Sequence, residues 1–259
     1  MDAFHVYLWV MVGLAFVVFI ALNYVEAGYG MLRTPKWGFA INNKLAWFLM
    51  EFPVFIAMII LCIISIQKNG FSPARFVIFC LFEMHYLQRA IIFPWLLKGK
   101  GKMPLGVMFM GVAFNVLNAM MQGWWLFYES YKMPIDQYVN AWLTSTPFLI
   151  GTALFLLGFI INLHADYIIR HLRKTPNDPN HYLPKGGLFN RVTSANYFGE
   201  IIEWLGFAVL TWSFAGFVFF IWTCANLIPR AASIHRRYVK EFSSEMAQRK
   251  LKCIFPYLY

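Results

Sequence analysis

Five ionisable side chains lie in segments of this sequence that are otherwise apolar. They are Glu51, Glu83, Arg89, Glu200 and Glu203. At the centre of a bilayer a charge costs about 2.5–3.5 kcal/mol on insertion scales, so such residues are rare unless they pair or serve a function. Ion pairs between helices explain some of them, but five charges in three apolar segments exceed what stability requires. We therefore interpret them as parts of a polar site.

The elements that must position these residues are membrane helices. Hydrophobic residues make up 60% of the 259-residue chain, charged residues 13%, and the mean hydropathy is +0.56. Soluble domains are about 45–50% apolar and about 25% charged. Because a span needs about 20 apolar residues, the sequence predicts an all-α bundle of seven transmembrane helices. The predicted spans are 4–25, 45–66, 76–97, 104–128, 145–169, 196–213 and 215–239.

The loops between these spans differ in positive charge. Eighteen Lys and Arg residues fall in 26–44, 98–103, 170–195 and the segment from 230 onward, whereas the opposite loops hold three. Positive loops face the cytoplasm, so we predict that the N-terminus is outside and the C-terminus is cytoplasmic. The net charge of +10 then suits anionic lipid or a phosphate-bearing ligand. Nucleic acid is not a predicted partner, because the charge is divided among several loops.

Polar residues recur at helical spacing within the later spans, where intervals of three and four place side chains on one face. This spacing predicts a pocket that opens to the cytoplasm, with Arg and Lys at its mouth and carboxylates and a phenol in its depth. Solvated helix ends are the alternative for the outer residues. The sets are Asn162, Asp166, Arg170 and Arg173; Asn196, Glu200 and Glu203; Tyr86 and Arg89; and Asn226, Arg230 and Arg237.

Several familiar sites find no support in this sequence. Cys62, Cys80, Cys224 and Cys253 lack metal-ligand spacing, so no metal site is predicted. No G-x-G-x-x-G opens a helix after a strand, so a Rossmann dinucleotide fold is not expected. The first apolar run has no basic region before it, which disfavours a cleaved signal peptide.

Five motifs in the same order resemble the steroid 5-alpha-reductase family, and the resemblance runs from about residue 27 to 259. The motifs are AWFLMEFP (46–53), HYLQR (85–89), NLHADYIIRHLRK (162–174), YLPKGGLFNRVTSANYFGEIIEWLGFAVLTWS (182–213) and RAASIHRRYVKEF (230–242). The ending CIFPYLY is also similar to the apolar, aromatic end of that family.

The resemblance implies an NADPH-dependent reductase of a carbon–carbon double bond conjugated to a ketone. By motif, Glu51 and Tyr86 are the expected catalytic residues that hold the ketone oxygen, and Trp47 joins them in binding the substrate. The expected cofactor-binding residues are Tyr29, Arg89, Asn162, Asp166, Arg170, Arg173, Asn196, Glu200, Arg230 and Tyr238.

The sequence departs from the family pattern in three places. Leu183 stands where the steroid enzymes have a basic residue, and Lys185 or His181 could replace that contact. Ser233 and Ile234 precede His235 where the family has three histidines. Glu83 has no counterpart that explains it.

We expect one domain, 1–259, with residues 1–110 mainly binding substrate and 111–259 mainly binding NADPH. The expected partners are a steroid or other lipophilic enone and membrane lipid, and the expected state is a monomer. The membrane would be the cytoplasmic membrane of a bacterium or the endoplasmic reticulum of a eukaryote.

Three alternatives remain open. One is a reductase of a polyprenal or enoyl-thioester, although the Glu51 and Tyr86 pair favours a ketone. Another is an S-adenosylmethionine-dependent membrane methyltransferase. A proton-coupled transporter is the third, but it predicts inverted repeats and broken helices in both halves, and neither is visible in the sequence.

Overall fold

A computed structural model describes residues 2–25, 28, 30–32, 37–98, 100–133, 136–172 and 181–259. The chain is mostly helical, as predicted. The helices are α1 (Ala3–Tyr24), α2 (Asn43–Asn69), α3 (Pro73–Tyr86), α4 (Phe93–Leu96), α5 (Leu105–Phe127), α6 (Thr146–Arg170), α7 (Ala195–Thr211), α8 (Phe214–Glu241) and α9 (Ser243–Arg249). A π-helical turn, Leu87–Ile92, joins α3 to α4.

Six of these helical segments are long and apolar enough to cross a membrane within the described residues: α1, α2, α3 through α4, α5 with the turn after it, α6 and α8. The predicted sixth span corresponds to α7, which has 17 residues. The multi-pass character is therefore confirmed, whereas the count of seven spans and the orientation of the termini stay predictions. The connection between the last two predicted spans is short, since only Trp212 and Ser213 separate α7 from α8.

Local sequence explains where the long helices start and stop. The side chains of Asn42 and Ser213 cap α2 and α8 by accepting hydrogen bonds from backbone N–H groups of the first turn. Pro73 occupies the first turn of α3, where a missing N–H costs nothing. Gly70 ends α2 with a φ of 81°, a conformation that glycine adopts at little cost.

The helices α6 and α7 pack with their backbones in contact. A Cβ atom added to Gly158 would lie 2.2 Å from the Glu203 nitrogen, and one added to Gly206 would lie 2.3 Å from the Phe155 nitrogen. Gly151 and Gly199 make similarly close approaches. Small residues allow such proximity between membrane helices, where packing rather than the hydrophobic effect drives association.

The first helix joins the bundle by one face. Phe4, Leu8, Met11 and Ala15 are its buried residues, and their spacing of three to four places them on one side. The Trp222 indole of α8 donates a 2.8 Å hydrogen bond to the Met11 carbonyl. The other faces of α1 carry exposed apolar residues, as expected for a helix in contact with lipid.

Two short connections were not predicted from the sequence. Strands β1 (Ala40–Asn42) and β2 (Lys102–Pro104) pair antiparallel and tie the start of α2 to the start of α5. Near the other end of the chain, Thr193 donates a 2.9 Å backbone hydrogen bond to Lys252. This contact holds the C-terminal segment against the start of α7.

Candidate functional site

The carboxyl group of Glu51 is buried between α2 and α5. Asn115 of α5 donates one hydrogen bond to Glu51 Oε2, at 2.9 Å, and another to the Met50 carbonyl, at 2.8 Å. Glu51 is only 9% exposed. Its position on an interior face of α2 follows from the apolar pattern of that helix, in which Met50, Val54 and Met58 are also buried.

Tyr86 lies at the last turn of α3 and is also held by α5. Its hydroxyl accepts a 2.9 Å hydrogen bond from the Asn118 side-chain amide. The ring packs against Phe82 and Trp204, with centroids 4.7 Å and 6.1 Å away. These rings fix the direction of the phenol and leave it 2% exposed.

Asn115 and Asn118 are three residues apart on α5, so their side chains project from the same face. One amide holds the carboxyl and the other holds the phenol. Because each amide donates to an oxygen of its partner, the phenol proton, and the proton of Glu51 in its acid form, remain available to a further acceptor. Neither asparagine was predicted from the sequence, although two amides one turn apart in an apolar span are a usable signal.

Arg89 is the centre of a second polar group. Its guanidinium lies 3.4 Å from an Asp166 oxygen and 3.7 Å from a Glu200 oxygen, and it stacks 4.8 Å above the Trp47 ring. Arg89, in the π-helical turn, thus contacts three other residues expected at the site: Trp47 of α2, Asp166 of α6 and Glu200 of α7. A π-helical turn of this kind is frequent at functional sites. Glu83, whose two carboxyl oxygens have no hydrogen-bond partner among the described residues, does not join this group.

Asn162 and Asn196 meet where α6 crosses the start of α7. The Asn162 amide donates a 3.0 Å hydrogen bond to the Asn196 backbone carbonyl. The two residues are therefore brought together, with the Asn162 side chain used to join two helices.

Two arginines from different helices carry further positive charge. The Arg230 Nε donates a hydrogen bond to the Tyr197 hydroxyl, and a Cβ atom on Gly30 would lie 3.9 Å from Arg230 Nη2. On α6, Arg170 Nη1 is buried and has no hydrogen-bond partner among the described residues. Tyr197 is a further residue that the sequence did not single out.

Tyr238 is a buried residue of α8. It packs in a small apolar cluster with Met246, Leu251 and Leu183, the residue that departs from the family pattern. His181 lies 3.3 Å from Glu241, and Lys185 pairs with Glu245 at 2.9 Å. Tyr29 and Arg173, which were also expected to bind the cofactor, fall outside the described residues.

Glu203 and His85 form a pair next to Tyr86. Glu203 Oε1 lies 2.7 Å from His85 Nδ1, and both side chains are buried. The predicted polar face of α7 therefore turns toward α3 and the π-helical turn, but its two carboxylates have different partners: Glu200 contacts Arg89 and Glu203 contacts His85.

Known proteins match this chain along most of its length. The family model described as 3-oxo-5-alpha-steroid 4-dehydrogenase matches residues 101–259. The chain belongs to this family. It is 36% identical to steroid 5-alpha-reductase DET2 of Gossypium hirsutum over 260 residues, with 99% of this chain and 97% of that protein covered.

Mammalian members are similarly close. The chain is 37% identical to 3-oxo-5-alpha-steroid 4-dehydrogenase 1 of Mus musculus over 246 residues (95% of this chain, 92% of that protein). It is 34% identical to the protein of the same name from Homo sapiens over 253 residues (98% and 93%). Family membership confirms the resemblance seen in the motifs and makes this chain a membrane oxidoreductase that acts on a CH–CH group.

Proposed function

We propose that this protein reduces the carbon–carbon double bond of a 3-oxo-delta-4 steroid, or a similar enone, to the 5-alpha-reduced ketone with NADPH. The observation that carries the proposal is the arrangement of the Glu51 carboxyl group and the Tyr86 phenol, which are both buried and anchored by amides one turn apart on α5. Family membership supports the reaction class, and the relatives named above are steroid enzymes.

The chemistry explains why this pair is useful. When bound, NADPH would supply the hydride that adds to the carbon beta to the ketone. Negative charge then builds on the ketone oxygen, and a proton from solvent, taken up at the carbon alpha to the ketone, completes the saturated ketone. Donors aimed at that oxygen, the Tyr86 hydroxyl and the acid form of Glu51, stabilise this charge, and a site that excludes water strengthens the effect. In ketosteroid isomerase, which catalyses a proton transfer, a tyrosine and a protonated carboxylic acid act together on an oxyanion in the same way.

The residues present fit a dinucleotide phosphate. Arginine side chains bind phosphate groups bidentately, and Arg170 Nη1 is a buried donor without a partner in the described chain. In this proposal Arg89, Arg170 and Arg230 hold the cofactor together with Asn162, Asp166, Asn196, Glu200 and Tyr238. Tyr29 and Arg173 complete the set. Trp47 lines the substrate site beside Arg89.

The same proposal extends to the organisation of the chain. Residues 1–110 would mainly bind substrate and residues 111–259 mainly NADPH, in one domain that acts as a monomer surrounded by lipid. The cofactor site would face the cytoplasm, because that is the predicted side of the basic loops.

The decisive experiment measures NADPH oxidation by the purified full-length protein in detergent. The panel contains 3-oxo-delta-4 steroids, a polyprenal, an enoyl-thioester and simple enones, and mass spectrometry identifies the products. We expect turnover of an enone by the wild-type protein and far slower turnover by Tyr86→Phe. Absence of NADPH oxidation with every enone would refute the proposal, as would thermal stabilisation by S-adenosylmethionine and not by NADPH.

A further inference from the structure

Glu83 has no role in the proposed reaction, yet it is a buried carboxyl group in a membrane helix. It is 8% exposed, and both of its oxygens are buried without a hydrogen-bond partner among the described residues. Burial of a polar group without a hydrogen bond is costly, and intramembrane acids usually mark a functional site. The nearby cation Arg89 contacts Asp166 and Glu200 instead.

The carboxyl group lines a groove between α2 and α3. The groove has a volume of about 540 Å³, which lies within the range of about 300–1,000 Å³ for small-molecule sites. Apart from Glu83, its walls are apolar side chains and two thiols. The remaining lining residues are Phe55, Ile59, Cys62, Ile63, Ile66, Phe76, Phe79, Cys80, Met84 and Leu87.

The rim of the groove faces the surroundings of the bundle. Ile63 is 51% exposed, Leu87 43% and Phe76 39%. Both α2 and α3 belong to segments that are apolar enough to cross a membrane. The groove is therefore open to the hydrocarbon region, and its occupant must come from the bilayer.

We propose that this groove binds a neutral, apolar molecule of the bilayer that carries a single hydroxyl or ketone oxygen, with that oxygen hydrogen-bonded to Glu83. The acid form of a carboxyl group both donates and accepts a hydrogen bond, so either oxygen function satisfies it. A lipophilic amine fits less well. It would form an ion pair with the Glu83 carboxylate, and both charged groups would then lose their hydration in apolar surroundings.

This site is separate from the Glu51 and Tyr86 pair. Neither residue lines the groove. Tyr86 is three residues beyond Glu83 but points into the interior against Phe82 and Trp204. Binding in the groove is measured without enzyme turnover, so a test of one proposal does not decide the other.

Photolabelling tests the proposal directly. The full-length protein in lipid vesicles is irradiated with an alkyne-tagged cholesterol diazirine, and labelled peptides are mapped by mass spectrometry. We expect label in 55–66 and 76–87, displaced by cholesterol and not by 5-alpha-cholestane, which lacks oxygen. Label spread evenly over the exposed helices, or equal competition by both sterols, would overturn the proposal, as would displacement by a lipophilic amine and not by cholesterol.

Variants separate a binding role of Glu83 from a structural one. We expect Glu83→Leu to lower the labelling of these peptides by about three- to tenfold, because the ligand loses one hydrogen bond. Glu83→Gln should retain labelling, since an amide also donates and accepts. Thr152→Val, which removes another buried hydroxyl without a partner among the described residues, should leave labelling unchanged. An unchanged yield in Glu83→Leu refutes the role of the carboxyl group.

The folded state of these variants has its own readout. Because Glu83→Leu removes a buried polar group that has no partner in the described chain, its thermal unfolding midpoint without sterol should equal or exceed that of the wild type. A midpoint of Glu83→Leu clearly below that of the wild type would show that the carboxyl group supports the fold, and would contradict a role in binding alone.

Discussion

Asn118 of α5 donates a 2.9 Å hydrogen bond to the hydroxyl of Tyr86, which stands at the end of α3. The amide occupies an acceptor position of the phenol oxygen and so directs the phenol proton elsewhere. Asn115 bonds Glu51 from the same face of α5, so one helix sets the positions of both the phenol and the carboxyl group. The proposed oxyanion site therefore depends on α5 as much as on the residues that would touch substrate.

Removal of the phenol hydroxyl should abolish most of the activity. We expect Tyr86→Phe to lower kcat by about 10²–10³, the usual effect of losing one oxyanion donor. The ring contacts with Phe82 and Trp204 remain, so the thermal unfolding midpoint should change little. Steady-state kinetics with an enone that the wild type reduces would measure the effect, and a fully active Tyr86→Phe would refute the role of the phenol.

Replacement of Glu51 distinguishes hydrogen bonding from charge. Glu51→Gln keeps a donor at this position and should retain part of the activity, whereas Glu51→Ala leaves the Asn115 amide with one partner fewer and should lose most of it. The kcat values of both variants, compared at saturating substrate, give the result. Equal activity in the two variants would argue against a donor role.

The amides of α5 are expected to act as positioning residues. Asn118→Leu should lower kcat by about three- to tenfold through loss of one hydrogen bond, with a smaller change in KM, because the phenol remains but its orientation is less defined. Gln122→Leu removes another buried amide of α5, one that bonds the Ala215 carbonyl, and serves as the control. If both variants lose kcat equally, the effect is a general one on the packing of α5.

The contact between α6 and α7 should tolerate no added side-chain atom. We expect Gly158→Ala to destabilise the protein by about 1–3 kcal/mol, as overpacking does, because the new methyl group meets the Glu203 backbone. Gly13→Ala on α1 is the control, since a Cβ atom there has nothing within 4 Å. Thermal unfolding in detergent compares them, and equal midpoints would contradict the close packing.

An ion pair between Arg75, in the first turn of α3, and Asp136, in the loop before α6, should give acid sensitivity. Arg75 lies 2.8 Å from Asp136. Burial acts to raise the pKa of Asp136, but hydrogen bonds from Arg75 and from the Tyr138 backbone, together with the Arg75 charge, hold this pKa below its ordinary value of 3.8. A lowered pKa stabilises the fold above the unfolded-state value, and the contribution is lost as pH falls through the folded-state value.

The corresponding measurement follows unfolding midpoints from about pH 6 down to about pH 2, a range that includes the values below 3.8 where the contribution is lost. Asp136→Asn should flatten the fall in stability at the acid end of this range, and Arg75→Gln should flatten it similarly because either change removes the pair. If the unfolding midpoint falls as steeply with acid in Asp136→Asn as in the wild type, carboxyl groups other than Asp136 cause the acid sensitivity.

Much of the fold could be predicted because hydrophobic length alone identifies membrane helices. The predicted helix ends differ from the observed ends by a few residues, since fraying and capping decide them. The pairing of Ile41 with Met103 in the short strands could not be predicted, because nothing in either segment indicates a partner some sixty residues away. The short α7 shows why a span count from hydropathy is less certain than the presence of the helices.

The site illustrates a different limit. Motifs identified Glu51, Tyr86 and Arg89, but the partners of those residues depend on which helices are neighbours. Arg89, for example, follows α3 in the chain but pairs with Asp166 on α6. The role of Asn115 could not be predicted, because an uncharged amide in an apolar span indicates a site only when its partner on the neighbouring helix, here Glu51, is known.

The glycine contacts between α6 and α7 also bear on how the site can open. The backbones of α6 and α7 touch at four glycines, Gly151, Gly158, Gly199 and Gly206. The two helices cannot separate without losing that packing, so we expect them to move together. A movement of this pair relative to α3 that admits a cofactor would have to break the ion pairs from Arg89 to Asp166 and Glu200.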